Sequence, residues 1–218
     1  MEITKLSSQV KNPDRINVFL NNKYSFSLDI SQIVSLGVKV GNVYSDDDLF
    51  QLKREGEFSK YYTKALVYSL TRPRSVRELR DYLYRQTRTK MYLIKGERRE
   101  KIGMAPELVQ RVTDKLIEKK YLDDEKFATY WVENRNLKKG ISQKVLRQEL
   151  LKKGVSSDII ESVFSFSERT DRDELRKVIE KRRHRYDDET KFIKYLISKG
   201  YDYSLIQEVL SELNDEAS

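Results

Sequence analysis

Apolar positions in the second half of the chain recur in two matching blocks. Leu146, Leu150, Gly154, Ile159, Ile160, Val163 and Phe164 reappear 46 residues later as Phe192, Leu196, Gly200, Leu205, Ile206, Val209 and Leu210. Each block reads as helix, glycine stop, helix. Spacings of four before the glycine, and of one, four and five after it, put the apolar side chains on one face of a 3.6-residue helix. Gly154 and Gly200 stand where a left-handed C-cap ends the first helix of each pair. Self-similarity at a fixed period is the signature of a repeat protein.

A degenerate third copy lies upstream. Ser75, Leu79 and Leu83 match Ser142, Leu146 and Leu150, and Leu108, Val109 and Val112 match Ile159, Ile160 and Val163. Its two helices are separated by an insertion at about residues 88–105, where a strand over 91–94 and a mobile basic loop are equally compatible with the pattern. A further helix precedes each pair, over residues 60–70, 124–137 and 172–183. Before residue 57 the pattern changes. Val18, Leu20, Tyr24, Phe26 and Leu28 alternate around Asn21-Asn22, a hairpin signature, with 3–10 as a third strand. Asp29 and Asp46 or Asp47 are candidate caps for two short helices, the first stopped by Gly37.

The expected fold class is therefore mainly α. Three tandem three-helix repeats form an elongated curved array, preceded by a small N-terminal β-hairpin-containing α+β module. The expected domains are 1–56 for that module and 57–122, 123–168 and 169–218 for the repeats.

Composition narrows the function. There is no Cys, which removes disulfides, thiolate metal sites and cysteine nucleophiles. No apolar run approaches the roughly 20 residues of a membrane span, so a cytoplasmic, soluble chain without a membrane partner is expected, and a monomer. The net charge of +8 is unevenly spread: residues 51–122 carry 19 Lys and Arg against 9 Asp and Glu, whereas 123–168 carry 8 against 8 and 169–218 carry 11 against 12. A local basic field of that kind is the footprint of a polyanion partner.

The candidate contacts follow from the repeat. Arg72, Arg74 and Arg77 flank the Pro73 corner before the capping pair Ser75 and Glu78. The same corner in the second repeat carries Arg135, Lys138, Lys139, Lys144 and Arg147, and Arg182, Arg183 and Arg185 approach it in the third. These first eight residues are the expected nucleic-acid and filament-binding set. The acidic runs at 123–125 and 187–189 sit at helix starts, where caps and the helix dipole account for them, so no metal and no cofactor are expected. No catalytic residues are expected either: no phosphate loop is present, and the lone His184 lies inside a basic run.

Arg72-Pro73-Arg74-Ser75 with Glu78-Leu79, the run from Tyr121 to Ala128, and Leu146-Arg147-Gln148-Glu149-Leu150 with Lys153-Gly154 together resemble the RecX family, regulators of the RecA recombinase. The resemblance covers about residues 60–213, and the hairpin module is similar to the N-terminal extension of longer members. It implies a non-enzymatic regulator that binds RecA and single-stranded DNA within the RecA filament and restrains recombinase, ATPase and co-protease activity in DNA repair. The insertion departs from the family's short glycine-containing turn. The residues alone leave a second reading open, a sequence-nonspecific nucleic-acid-binding helical repeat without a recombinase partner.

Overall fold

The computed structural model describes the backbone of residues 1–94 and 96–216, with side chains described through residue 214. It is mostly helical, with a small N-terminal antiparallel sheet. Two compact units divide the chain: Met1–Arg72 with Leu79–Tyr121, and Pro73–Glu78 with Leu122–Ser218.

In the first unit, β1 (Ile3–Gln9), β2 (Asn12–Leu20) and β3 (Lys23–Asp29) form an antiparallel sheet in chain order. Asn21 and Asn22 both take positive φ, 46° and 63°, the turn that a two-residue hairpin demands. Helix α1 (Ile30–Ser35) follows, capped by Asp29. Helix α2 is longer than expected: it runs unbroken over Asp46–Leu70 from a Ser45 cap. The expected short helix and the helix at 60–70 are thus one element, and the boundary expected between residues 56 and 57 falls inside it.

The reason is burial. Arg15, 6% exposed, reaches from β2 to the middle of α2. It donates to Asp29 Oδ1 (2.6 Å), Ser59 Oγ (3.1 Å) and the carbonyls of Ser27 and Gly56 (both 2.9 Å). Leu49 and Leu52 of α2 join Ile3, Val18, Phe26 and Leu28 in one core. Helices α3 (Val76–Thr87) and α4 (Glu107–Glu118) bury Leu79, Leu83, Leu108, Val109 and Val112, as the degenerate repeat requires. Of the two readings of the insertion, the hairpin is the one formed: β4 (Lys90–Ile94) pairs antiparallel with β5 (Glu97–Lys101).

In the second unit α5 (Asp124–Asn134), α6 (Gln143–Lys152) and α7 (Ser157–Ser165) form one three-helix set. A second set comprises α8 (Asp171–Arg182), α9 (Glu189–Ser198) and α10 (Tyr203–Glu216). The periodic residues fill the two cores: Leu146, Leu150, Phe192, Leu196 and Ile206 are fully buried. Helix α5 stops at Asn134 rather than 137, because Arg135 turns extended and Asn136 takes positive φ.

A repeated joint holds successive pieces of this unit together. Ser142 Oγ, at the start of α6, donates to the carbonyl of Lys199 at the end of α9 (2.7 Å) and accepts the Val145 amide of its own helix (3.3 Å). Ser75 Oγ does the same to the carbonyl of Lys153 (2.7 Å) and the Glu78 amide (3.1 Å). Beside each serine, the next amide finds an aspartate one set along: Gln143 N donates to Asp171 and Val76 N to Asp124 (2.7 and 2.8 Å). Gly200 and Gly154, at φ 89° and 83°, end the helices that supply the carbonyls. A Cβ on Gly200 would stand 2.6 Å from Ser142 Oγ. Left-handed backbone costs a residue with a Cβ about 1–2 kcal/mol. Gly200→Ala and Ser142→Ala are therefore each expected to destabilise the chain by about 2 kcal/mol, the second by loss of a cap and exposure of an unmet buried carbonyl. Urea unfolding followed by circular dichroism measures both, and a change below about 0.5 kcal/mol would contradict the joint, being no more than an ordinary surface substitution costs.

Candidate nucleic-acid interface

The loop between α5 and α6 is pinned against α8 by a buried carboxylate. Glu174, 1% exposed, accepts from the Ile141 amide (3.0 Å), Arg169 (2.7 Å) and Lys177 (2.7 Å). Arg169 in turn donates to the carbonyl of Val132 at the end of α5 (2.6 Å). Burial alone would push the Glu174 carboxyl up, yet the hydrogen bonds from Arg169 and Lys177 outweigh it and hold the pKa below the usual value. Gly140 allows the close approach, since a Cβ there would meet the Glu174 carbonyl at 2.4 Å.

Pinning this loop makes a cleft of about 580 Å³ between the two helical sets of the unit. Lys139 enters from the loop, Lys181 and Arg182 from α8, Arg185 from the 3-10 turn that follows it, and Lys199 from the end of α9. Lys181 Nζ donates to the Lys138 carbonyl. Lys199 lies over the ring of Tyr195, 5.2 Å from its centroid, and that ring also borders the cleft. Tyr201 borders it as well. Its hydroxyl is buried with no hydrogen-bond partner among the described residues, and burial raises its pKa. The one acid of the cleft among the described residues, Glu149, is already bound. Arg135 donates to both its oxygens (2.9 and 3.0 Å) and Trp131 Nε1 to one (2.8 Å).

The eight expected contact residues are not equally available. Arg135 is held by Glu149. Arg147 donates to both oxygens of Glu161 (3.1 Å each) and to Gln143, and stacks over Phe164 at 4.0 Å. Those two cations therefore serve the packing of α6 against α5 and α7. Arg77 and Lys144 occupy equivalent places, their side chains lying against Gly154 and Gly200, and both are exposed. Lys138 and Lys139 are exposed beside the cleft, and Arg74 is half-buried at the head of the segment that precedes α3. Arg72 belongs to the first unit. The expected eight lack Lys181, Arg182, Arg185 and Lys199 of the cleft. Repeat alignment could have found Lys199, the counterpart of Lys153, and Lys181, which opens the basic run around His184 and lies 46 residues after Arg135.

The acidic runs do cap helices. Asp123 accepts from the Glu125 and Lys126 amides, and Asp188 from that of Lys191. In the first unit the hairpin exposes Met91, Tyr92, Leu93 and Ile94, between 40% and 69%, on a basic ribbon. Among the described residues no helix is long and apolar enough to cross a membrane.

Comparison with known proteins now identifies the lineage. Residues 1–45 match the family profile described as the regulatory protein RecX N-terminal domain, and residues 123–163 match that of the RecX second three-helix domain. Over 98% of its length the chain is 30% identical to the regulatory protein RecX of Bacillus licheniformis, of which it covers 78%. The chain belongs to the RecX family. The RecX protein of Bacillus subtilis is 33% identical over 77% of this chain and 59% of its own length, and a RecX protein of Clostridium botulinum is 30% identical over 97% and 95%. A crystal structure titled regulatory protein RecX shares the fold, with a TM-score of 0.70, 21% identity, and coverage of 96% of this chain and 98% of that one.

The buried charge is testable. Removing one partner of a buried ion pair typically costs about 3–5 kcal/mol, and Glu174→Ala is expected in that range. Because the folded pKa of Glu174 is depressed, its contribution is full above the unfolded value near 4.3 and is lost as pH falls through the folded value. The stability gap between the native chain and Glu174→Gln should therefore close on acidification. Asp171, whose pKa burial raises, acts oppositely in both proteins, and because the Glu174 charge is the smallest cause of its shift it leaves most of the gap to Glu174 itself. Urea midpoints measured at neutral pH and down to about pH 3 check this; a gap that stays constant would refute it.

Proposed function

We propose that the chain is a non-enzymatic cytoplasmic regulator of RecA. It binds RecA and the RecA–single-stranded DNA filament and restrains recombinase, ATPase and co-protease activity during DNA repair. Membership of the RecX family supports the regulatory role. The observation that carries the filament reading is the gathering of cations in the second unit, with Lys139, Arg182 and Arg185 lacking any ion-pair partner among the described residues. Unneutralised cations on a folded helical surface fit both the phosphates of a single strand and the acidic surface of a protein wrapped on it.

Within the expected contact set, Arg77, Lys138, Lys139 and Lys144 are the exposed members and are read as direct contacts. Arg72 and Arg74 are read as contacts at the Pro73 corner, and Arg135 and Arg147 as structural. The same unpaired cations also favour a second reading, a nonspecific nucleic-acid binder that needs no recombinase.

RecA-catalysed ATP hydrolysis on single-stranded DNA separates the two. The chain added well below the RecA concentration should inhibit hydrolysis. The triple variant Lys138→Glu/Lys139→Glu/Lys144→Glu should require at least about tenfold more protein for the same inhibition, equivalent to about 1.4 kcal/mol of lost binding. Absence of any effect on RecA from the same organism, with the chain folded, would leave the nucleic-acid reading.

A further inference from the structure

The two helical sets of the second unit use the same cations differently. In the first set, two cations are answered by carboxylates: Arg135 by Glu149, and Lys153 by Glu78, whose Oε1 it meets at 2.6 Å. The serine joints fix the correspondence between sets. Lys153 and Lys199 both offer the accepted carbonyl, and Ser75 and Ser142 both donate to it, so Glu78 corresponds to Val145 and Glu149 to Tyr195. The helix caps Asp123 and Thr170 align Arg135 with Arg182.

In the second set, then, both cations are retained, as Arg182 and Lys199, while both carboxylates are replaced, by Tyr195 and Val145. All four residues border the 580 Å³ cleft, together with Lys139, Lys181 and Arg185. Five cations drawn into one concavity repel one another, and the only carboxylate there among the described residues, Glu149, is committed to Arg135 and Trp131. Acids of the unit gather elsewhere: Glu125, Glu133, Glu168 and Asp173 line a separate cleft. An arrangement that keeps the cations and removes their partners is complementary to an anion from outside the chain.

From this geometry we infer that the cleft binds the sugar-phosphate backbone of single-stranded nucleic acid, with a base against Tyr195. Lys139, Arg182 and Arg185 meet the phosphates, and the half-buried Tyr195 ring, already covered on one side by Lys199, offers an aromatic face. Aromatic faces beside cationic grooves hold single strands without reading sequence. The volume lies within the roughly 300–1,000 Å³ of small-molecule sites, which suits one or two unpaired nucleotides. Tyr201 supplies a donor in the wall that no acceptor among the described residues uses. This site deepens the proposed function by naming where the filament's strand is engaged, and rests on that function only for its setting.

The test needs no recombinase. Anisotropy of a fluorescent oligothymidylate, titrated with the full chain across a salt series, reads affinity and the number of phosphates neutralised. Lys139→Glu/Arg185→Glu, two exposed positions, should weaken binding at least tenfold, and Lys139→Gln/Arg185→Gln should flatten the salt slope by about 1.4, the value for two single-strand phosphates. The control Lys152→Glu/Lys194→Glu changes two exposed lysines of the same unit outside the cleft and should bind as the native chain does. Circular dichroism establishes folding for all of them. Equal weakening by the control, an unchanged slope in the glutamine variant, or ATP binding more tightly than the oligonucleotide would each overturn the assignment. The ATP hydrolysis assay fails independently: cleft-dependent oligonucleotide binding without any effect on RecA retains this site and removes the recombinase reading.

Discussion

Everything in the second unit depends on a serine hydroxyl that serves two helix ends at once. An α-helix leaves amides unmet at its start and carbonyls unmet at its end. Ser142 accepts from one such amide and donates to one such carbonyl, on two different helices, and Ser75 repeats the arrangement. Both hydroxyls are fully buried, so neither end has water as an alternative. The helix whose carbonyl accepts the serine hydroxyl must stop with its backbone close to the serine, and a glycine at positive φ does this with no side chain in the way. One chemical requirement thus sets both the period of the sequence and the spacing of the helices.

The joint also explains why charge is organised as it is. It brings the α5–α6 loop against α8, and the amide of Ile141 arrives there with no helical partner, so Glu174 takes it. A buried carboxylate then needs its own cations, which Arg169 and Lys177 supply. With acids committed to internal duties at Glu149, Glu161 and Glu174, cations left over on the cleft side stay unneutralised. A segment with equal numbers of acids and bases can therefore present a strongly basic surface.

That separation marks the limit of what the chain discloses as sequence. The repeat was legible because Leu146, Leu150 and Gly154 have counterparts at one fixed offset, and the Asn21-Asn22 turn because asparagine tolerates the backbone state required. The full length of α2 was not, since Gly56 and the polar residues around it look like an interruption until Arg15, from another element, is seen to bond there. Net charge pointed to residues 51–122, whereas the concave cationic site lies in the unit that counts as nearly neutral. Arg135 and Arg147 looked like contact residues, and their carboxylate partners lie 14 residues away along the chain on other helices. Lys139 and Lys199 meet at one cleft only because the joint folds the chain back.

The contrast between the two helical sets has an energetic side. The first set draws on ion pairs around Trp131, where Arg135, Glu149 and Lys153 converge. The second forgoes those pairs at the equivalent place and compensates elsewhere. Tyr186, Phe192 and Tyr195 pack ring against ring at 5.1–6.3 Å, and Arg172 and Arg176 bind Glu208 and Glu212 of α10. Aromatic packing contributes without consuming a cation, and the α8–α10 pairs use arginines that do not border the cleft. The second set is therefore held together by interactions that leave its cleft-side cations without a carboxylate partner among the described residues, which is the condition a surface built to receive an anion has to meet.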